Sequence, residues 1–306
     1  MTMPAELPEV SVEPQPAPAP WRQFATRFVD SRLATLGAAI LVILVMLAIL
    51  APWIAPQNPY DLAQLSILDS RLPPLSPSSE GGVYVVGTDD QGRDMLSAIM
   101  YGLRISLSIG IGSAIVACII GTMLGLMAAY AGGRIESLLM RVVDLQLSFP
   151  AILVALMILA VVGKGLLNVL LAIVIVEWAY YARTARASAL VEIRREYIEA
   201  AQCLALSPSR IVVEHLLPNC IPPLIVILTM QVGRAIALEA TLSFLGLGVP
   251  ITEPSLGLLI ANGFQYIFSG EYWISFFPGL TLMLTIVAIN LVGDHLRDLL
   301  NPRMEK

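Results

Sequence analysis

Four polar residues interrupt otherwise apolar runs of this chain: Glu177, Gln231, Arg234 and Glu239. A charge in hydrocarbon is expensive, so such groups face a cavity or a partner. Arg234 and Glu239 stand five positions apart and share a helical face only roughly. Two readings are open. Some of them line a polar translocation path, Gln231 being the weaker candidate, or they pair with one another or with a neighbouring subunit inside the bundle. A carboxylate such as Glu177 or Glu239 at membrane depth is also the kind of group that relays protons in a secondary transporter.

Other chemistry is excluded by what the chain lacks. No GxxxxGK[ST] stretch is present to cradle ATP phosphates, and no HExxH or GxSxG. The two histidines, His215 and His295, lie far apart, so neither a metal site nor a nucleophile with its base is expected. Cys118, Cys203 and Cys220 show no CxxC or His-linked spacing and read as small apolar residues in or near helices. The chain is expected to be no enzyme and to hold no cofactor. Gly87 to Asp94 is dense in turn formers and carboxylates but lacks the ligand spacing of a calcium loop. It reads as a turn launching a helix, with Asp94 as N-cap.

The elements that position these residues follow from hydropathy. Hydrophobic residues make up 57% of the chain and charged residues 13%, against roughly 25% charged in soluble domains. Successive runs of about 20 apolar residues imply an all-α protein crossing the membrane several times, because helices satisfy their own backbone groups in lipid. Residues 1–20 are rich in Pro and Ala and read as a disordered tail. Residues 21–32 combine Trp21, Phe24 and Phe28 with Arg22, Arg27 and Arg32. They form an interfacial helix or a basic flank that orients the first span.

Six spans are expected. The first is 33–51, stopped by Pro52, Pro56 and Pro59. A polar excursion, 52–102, follows. The second span, 105–130, carries Gly110, Gly112, Gly121 and Gly125, which suggest close helix packing. The third, 138–162, is kinked at Pro150. The fourth is 166–184 and the fifth 221–244. Loop 246–275 places Tyr272 and Trp273 near an interface. The sixth span is 276–293, and 298–306 form a tail. Arg and Lys concentrate on one side, among them Arg134, Arg183, Arg186, Arg194, Arg195, Arg210 and Arg297. That side is expected to be cytoplasmic, with both termini on it.

The most polar internal stretch on that side lies within 192–219. Good helix formers run through Glu199, Ala200, Ala201, Gln202 and Leu204. Ser207 and Pro208 then punctuate the chain. The expectation is helix, sharp turn, then a second short helix ending near Leu217, before Pro218.

These residues resemble the EAA loop of permease subunits of bacterial ABC importers. More narrowly, the chain resembles the C-type permease of dipeptide, oligopeptide and nickel importers. The segments Gly87–Leu107, Tyr130–Pro150, Glu239–Val249 and Asn290–Arg303 carry that resemblance, which covers about residues 21–303. It implies a type I importer permease fold with a permease domain over 103–297. It implies a multi-pass location in the bacterial cytoplasmic membrane, amid membrane lipid. The implied partners are a homologous second permease, two cytoplasmic ATPases that bind ATP and Mg, and an extracytoplasmic solute-binding protein; nucleic acid is not among them. It implies that Glu199, Ala200, Ala201, Leu204, Ala205, Ser207 and Pro208 couple to an ATPase. Relatives carry dipeptides, longer peptides, glutathione-like peptides or nickel, and peptide is the expected cargo. One departure stands out: the family usually has Gly where this chain has Ala205, which puts the turn geometry in question.

Overall fold

The computed structural model describes residues 26–61, 65–79, 81–250 and 252–300. The expected tail 1–20, residues 301–306, and Trp21, Arg22 and Phe24 lie outside the described residues; the expected tail 298–306 begins too early, because 298–300 close the last helix. Nine helices of eight residues or more are described: α1 Arg32–Ile54, α2 Met95–Ala131, α3 Gly133–Ser148, α4 Ala151–Val162, α5 Leu166–Glu192, α6 Glu196–Cys203, α7 Pro208–Phe244, α8 Leu256–Phe264 and α9 Trp273–Leu300. Five are long and apolar enough to cross a membrane, and the bent pair α3–α4 makes a sixth if it counts as one span.

Several boundaries differ from the sequence expectation, each for a physical reason. Helix α1 runs through Pro52 to Ile54, because one backbone bond missing in a last turn does not end a helix that lipid favours. Helix α2 starts at Met95, well before the apolar run. Asp94 caps it: the Ser97 N–H donates to Asp94 Oδ2 at 2.9 Å and the Ser97 hydroxyl donates at 2.6 Å. At about 1.5 Å per residue α2 is about 55 Å long, so its first turns stand outside the membrane.

The third span is not one kinked helix. Its two halves meet at 92°, with Phe149 extended and Pro150 opening α4. Proline pushes its predecessor out of the α region. The charges of α3 also keep that helix out of hydrocarbon. Asp144 pairs with Arg183 and Glu136 with Arg186, each at 2.5 Å, fastening α3 to the polar end of α5. Nor does α7 stop before Pro218. It passes Pro218, Pro222 and Pro223 after a π-helical turn at Ile211–Leu216, which widens the helix where proline carbons need room.

The core is built on small residues. A Cβ on Gly121 or Gly125 would strike the α5 backbone at Trp178 and Ala182, and one on Gly110 would strike Ile236 of α7. Gly112 meets Leu170 only at ordinary contact distance. Helix α8 is seated the same way, with Gly257 against the Ala240 backbone and Gly263 against Ser275.

The excursion packs onto the start of α2. Strands β1 Ser76–Pro77 and β2 Val83–Tyr84 pair antiparallel. Arg93 and Asp89 form a buried ion pair at 2.6 Å. Trp273 of α9 donates its indole N–H to the Thr88 carbonyl at 3.1 Å. The Asp69 carboxylate accepts from the Ser79 N–H, the Ser79 hydroxyl and the Tyr84 hydroxyl. Burial pushes the Asp69 carboxyl up, but the hydrogen bonds outweigh it and hold the group below its usual 3.8.

Two outcomes follow from these contacts. Gly121→Val forces α2 and α5 apart and destabilises the protein by at least 1–3 kcal/mol, of the order of overpacking, read by thermal unfolding in detergent. A depressed carboxyl stabilises above its unfolded value and loses that contribution as pH falls through its folded value. Protease resistance of the excursion therefore falls on acidification below about pH 3.8, and Asp69→Asn removes that acid-side dependence.

Candidate functional site

Two sets of polar residues stand out, one exposed beside the bundle and one at membrane depth. The exposed set is α6 and the turn after it. Ile198 and Ala201 face inward and pack with Ile211, with Tyr130 and Leu206 against them. Glu199, Ala200, Gln202 and Ala205 face out, and Leu204 is 75% exposed. The two alanines therefore divide: Ala200 presents a small outer surface, whereas Ala201, 3% exposed, serves packing within the chain.

The turn settles how Ala205 replaces glycine. Its φ is +52°, in the left-handed region. The Leu206 N–H donates to the Ala201 carbonyl at 3.3 Å and the Ala205 N–H to the Gln202 carbonyl at 2.9 Å. These two bonds, with Leu206 packed on Ala201, make a Schellman helix end in which glycine is usual. The helix breaks before Ser207 despite the Cβ, and α7 begins at Pro208. Near its base, the Tyr197 hydroxyl donates to Glu192 Oε2 at 2.7 Å; burial and that carboxylate push the phenol up to about 12.

The second set separates into two places. Glu239 is fully buried. The Ser106 hydroxyl of α2 donates to its Oε2 at 2.8 Å and the Ser243 hydroxyl to its Oε1 at 2.7 Å. Ser106 also accepts from the Leu256 N–H at the start of α8, at 3.4 Å. Glu239 thus joins α2, α7 and α8. The Glu239–Ser243 step of one helical turn is visible in the sequence, whereas Ser106 lies 133 positions away and gives no such signal.

Glu177, Gln231 and Arg234 line one cleft of about 370 Å³ between α4, α5 and α7, with Ile152, Tyr180 and Thr241. The Arg234 guanidinium lies 4.8 Å from the Tyr180 ring centre, a cation–π stack, and donates to Gln231 Oε1 at 3.3 Å. Glu177 Oε2 and Gln231 Nε2 are buried with no hydrogen-bond partner among the described residues. Three of the four intramembrane polar residues therefore share one cleft, and Glu239 lies elsewhere.

The model of the binding-protein-dependent transport system inner membrane component matches residues 121–306. The N-terminal TM domain of oligopeptide transport permease C matches residues 19–74. The di/tripeptide transport system permease protein DppC of Pseudomonas aeruginosa is 38% identical over 94% of this chain and 94% of its own length. The dipeptide transport system permease protein DppC of Haemophilus influenzae is 36% identical over 94% and 96%. In fold, the chain is similar to a chain of the inward-facing MetNI methionine ABC transporter, with a TM-score of 0.55 and 20% identity, covering 68% of this chain and 98% of that one.

The left-handed Ala205 makes a measurable prediction. A non-glycine residue there costs about 1–2 kcal/mol. Ala205→Gly relieves most of that and slows proteolysis at the 204–207 turn, whereas Ala205→Val, β-branched, accelerates it.

Proposed function

The chain belongs to the family of binding-protein-dependent transport system inner membrane components, and from that premise we propose that it is a permease subunit of an ATP-driven peptide importer. The family and the apolar helices make it a multi-pass inner-membrane protein. The observation that carries the proposal is α6: a short exposed helix anchored to the bundle by Ile198, Ala201 and Ile211, ending in a fixed turn. Its outer face offers Glu199 as a directed polar contact, Ala200 as a flat one and Leu204 as an apolar knob. That surface suits a cleft on a cytoplasmic ATPase, which supplies the ATP and Mg chemistry for which this chain has no P-loop.

In this reading both termini and α6 lie in the cytoplasm, and 52–102 faces outward to meet a solute-binding protein. A homologous second permease completes the pathway. Glu177, Gln231 and Arg234 line this chain's half of it, while Glu239 is a pin between helices. Relatives named as di/tripeptide and dipeptide permeases support a short peptide as cargo.

A proton-coupled secondary transporter using Glu177 and Glu239 is the competing mechanism. Against it, Glu239 is enclosed by Ser106 and Ser243, away from the cleft that holds Glu177. The family model is described as a component of binding-protein-dependent transport systems.

The test is uptake by the whole transporter in proteoliposomes. Glu199→Ala lowers ATP-driven peptide uptake roughly tenfold, as expected for one lost charge-assisted contact, and Ala200→Trp abolishes it. Both positions are exposed, so neither change disturbs the fold. Uptake that persists without the ATPases and collapses with the proton gradient sinks the importer reading.

A further inference from the structure

The cleft between α5 and α7 has an arrangement that mutual pairing does not explain. Glu177 and Tyr180 project from α5 one turn apart, and Gln231, Arg234 and Thr241 form a stripe along α7. Glu177 is near the middle of its 27-residue helix, so the cleft lies near the membrane midplane. Opposite charges so placed normally form an ion pair. Here, among the described residues, neither does. Arg234 is propped on the Tyr180 ring and spends one donor on Gln231, which leaves further N–H groups of its fork uncommitted. Glu177 is 3% exposed and Gln231 is 2% exposed, yet each keeps a polar atom without a partner. A buried polar atom left unsatisfied is costly, and a cleft lined by two such residues is completed by something else.

We propose that this cleft is a transit site for the charged ends of a peptide. The Glu177 carboxylate accepts from the α-ammonium, and the Arg234 guanidinium donates to the terminal carboxylate, helped by the Gln231 amide N–H. The volume of about 370 Å³ falls in the range of small-ligand sites, roughly 300–1,000 Å³. Ile152 and other apolar walls meet the side chains without selecting among them. The site thus reads what all short peptides share, two opposite terminal charges a few bonds apart, and leaves side-chain choice to another component. Arginine suits the carboxylate end because its planar fork is already oriented by Tyr180. The inference rests on the importer reading.

The experiment uses the complete transporter in proteoliposomes, with radiolabelled dialanine delivered by the cognate binding protein, and reads peptides moved per ATP hydrolysed. Glu177→Gln and Arg234→Gln each lower that ratio about tenfold, and the double variant lowers it further than either. A wild-type ratio in both single variants overturns the proposal. So does recovery in the double variant, which marks the two as balancing each other or a neighbouring subunit. Should a variant fail to assemble, Ala237→Cys on the same cleft is alkylated at least threefold more slowly during dialanine turnover; unchanged alkylation overturns the site. A wild-type transporter without ATP-dependent uptake removes the importer reading instead, so the two failures are distinct.

Discussion

The contact on which the rest depends is the approach of α2 to α5 at Gly121 and Gly125. In lipid no hydrophobic force drives helices together, so association comes from close van der Waals packing. Here that packing brings the α2 turns to the backbone of α5 at Trp178 and Ala182. It fixes the height of Glu177 and Tyr180 in the membrane. It also fixes the polar end of α5, where Arg183 and Arg186 take up the carboxylates of α3. The chain leaves that end to form α6. The middle of α5 thus holds the membrane cleft and its polar end leads into the exposed helix.

The second constraint is polar satisfaction. The charged residues at membrane depth are treated in two ways. Glu239 is enclosed by hydroxyls and ties α2, α7 and α8 together, which makes it part of the scaffold. Glu177 and Gln231 keep unsatisfied atoms facing a cleft, which a scaffold role does not require. Outside the membrane, the Asp69 and Asp89 networks hold the excursion against the start of α2, so the excursion moves with the span beneath it.

Much of this is legible in the sequence, and the misses have common causes. Hydropathy marks the membrane spans, and the Asp94 cap and the packing roles of Gly110, Gly121 and Gly125 follow from residue type. Hydropathy cannot distinguish a kink at Pro150 from a break of 92°. What decides it is the pairing of Glu136 and Asp144 with arginines some forty to fifty positions away. Proline rules end α7 at Pro218 on paper, because they do not foresee a π-helical turn ahead of it. At Ala205 the local residue argues against a left-handed turn, and the packing of Leu206 on Ala201 and the two backbone bonds prevail. The partner of Glu239 across the bundle, Ser106, depends on tertiary contact alone.

In the proposed importer, chemical energy enters this chain at the surface around α6. A photoreactive benzoylphenylalanine in place of Leu204, the most exposed apolar side chain of the turn, tests it in membranes holding the assembled transporter. The expected result is a cross-link to an ATP-binding subunit, identified by mass spectrometry, on the cytoplasmic side. A cross-link to the solute-binding protein, or labelling of position 204 by reagents added outside the cell, would contradict both the orientation and the coupling role.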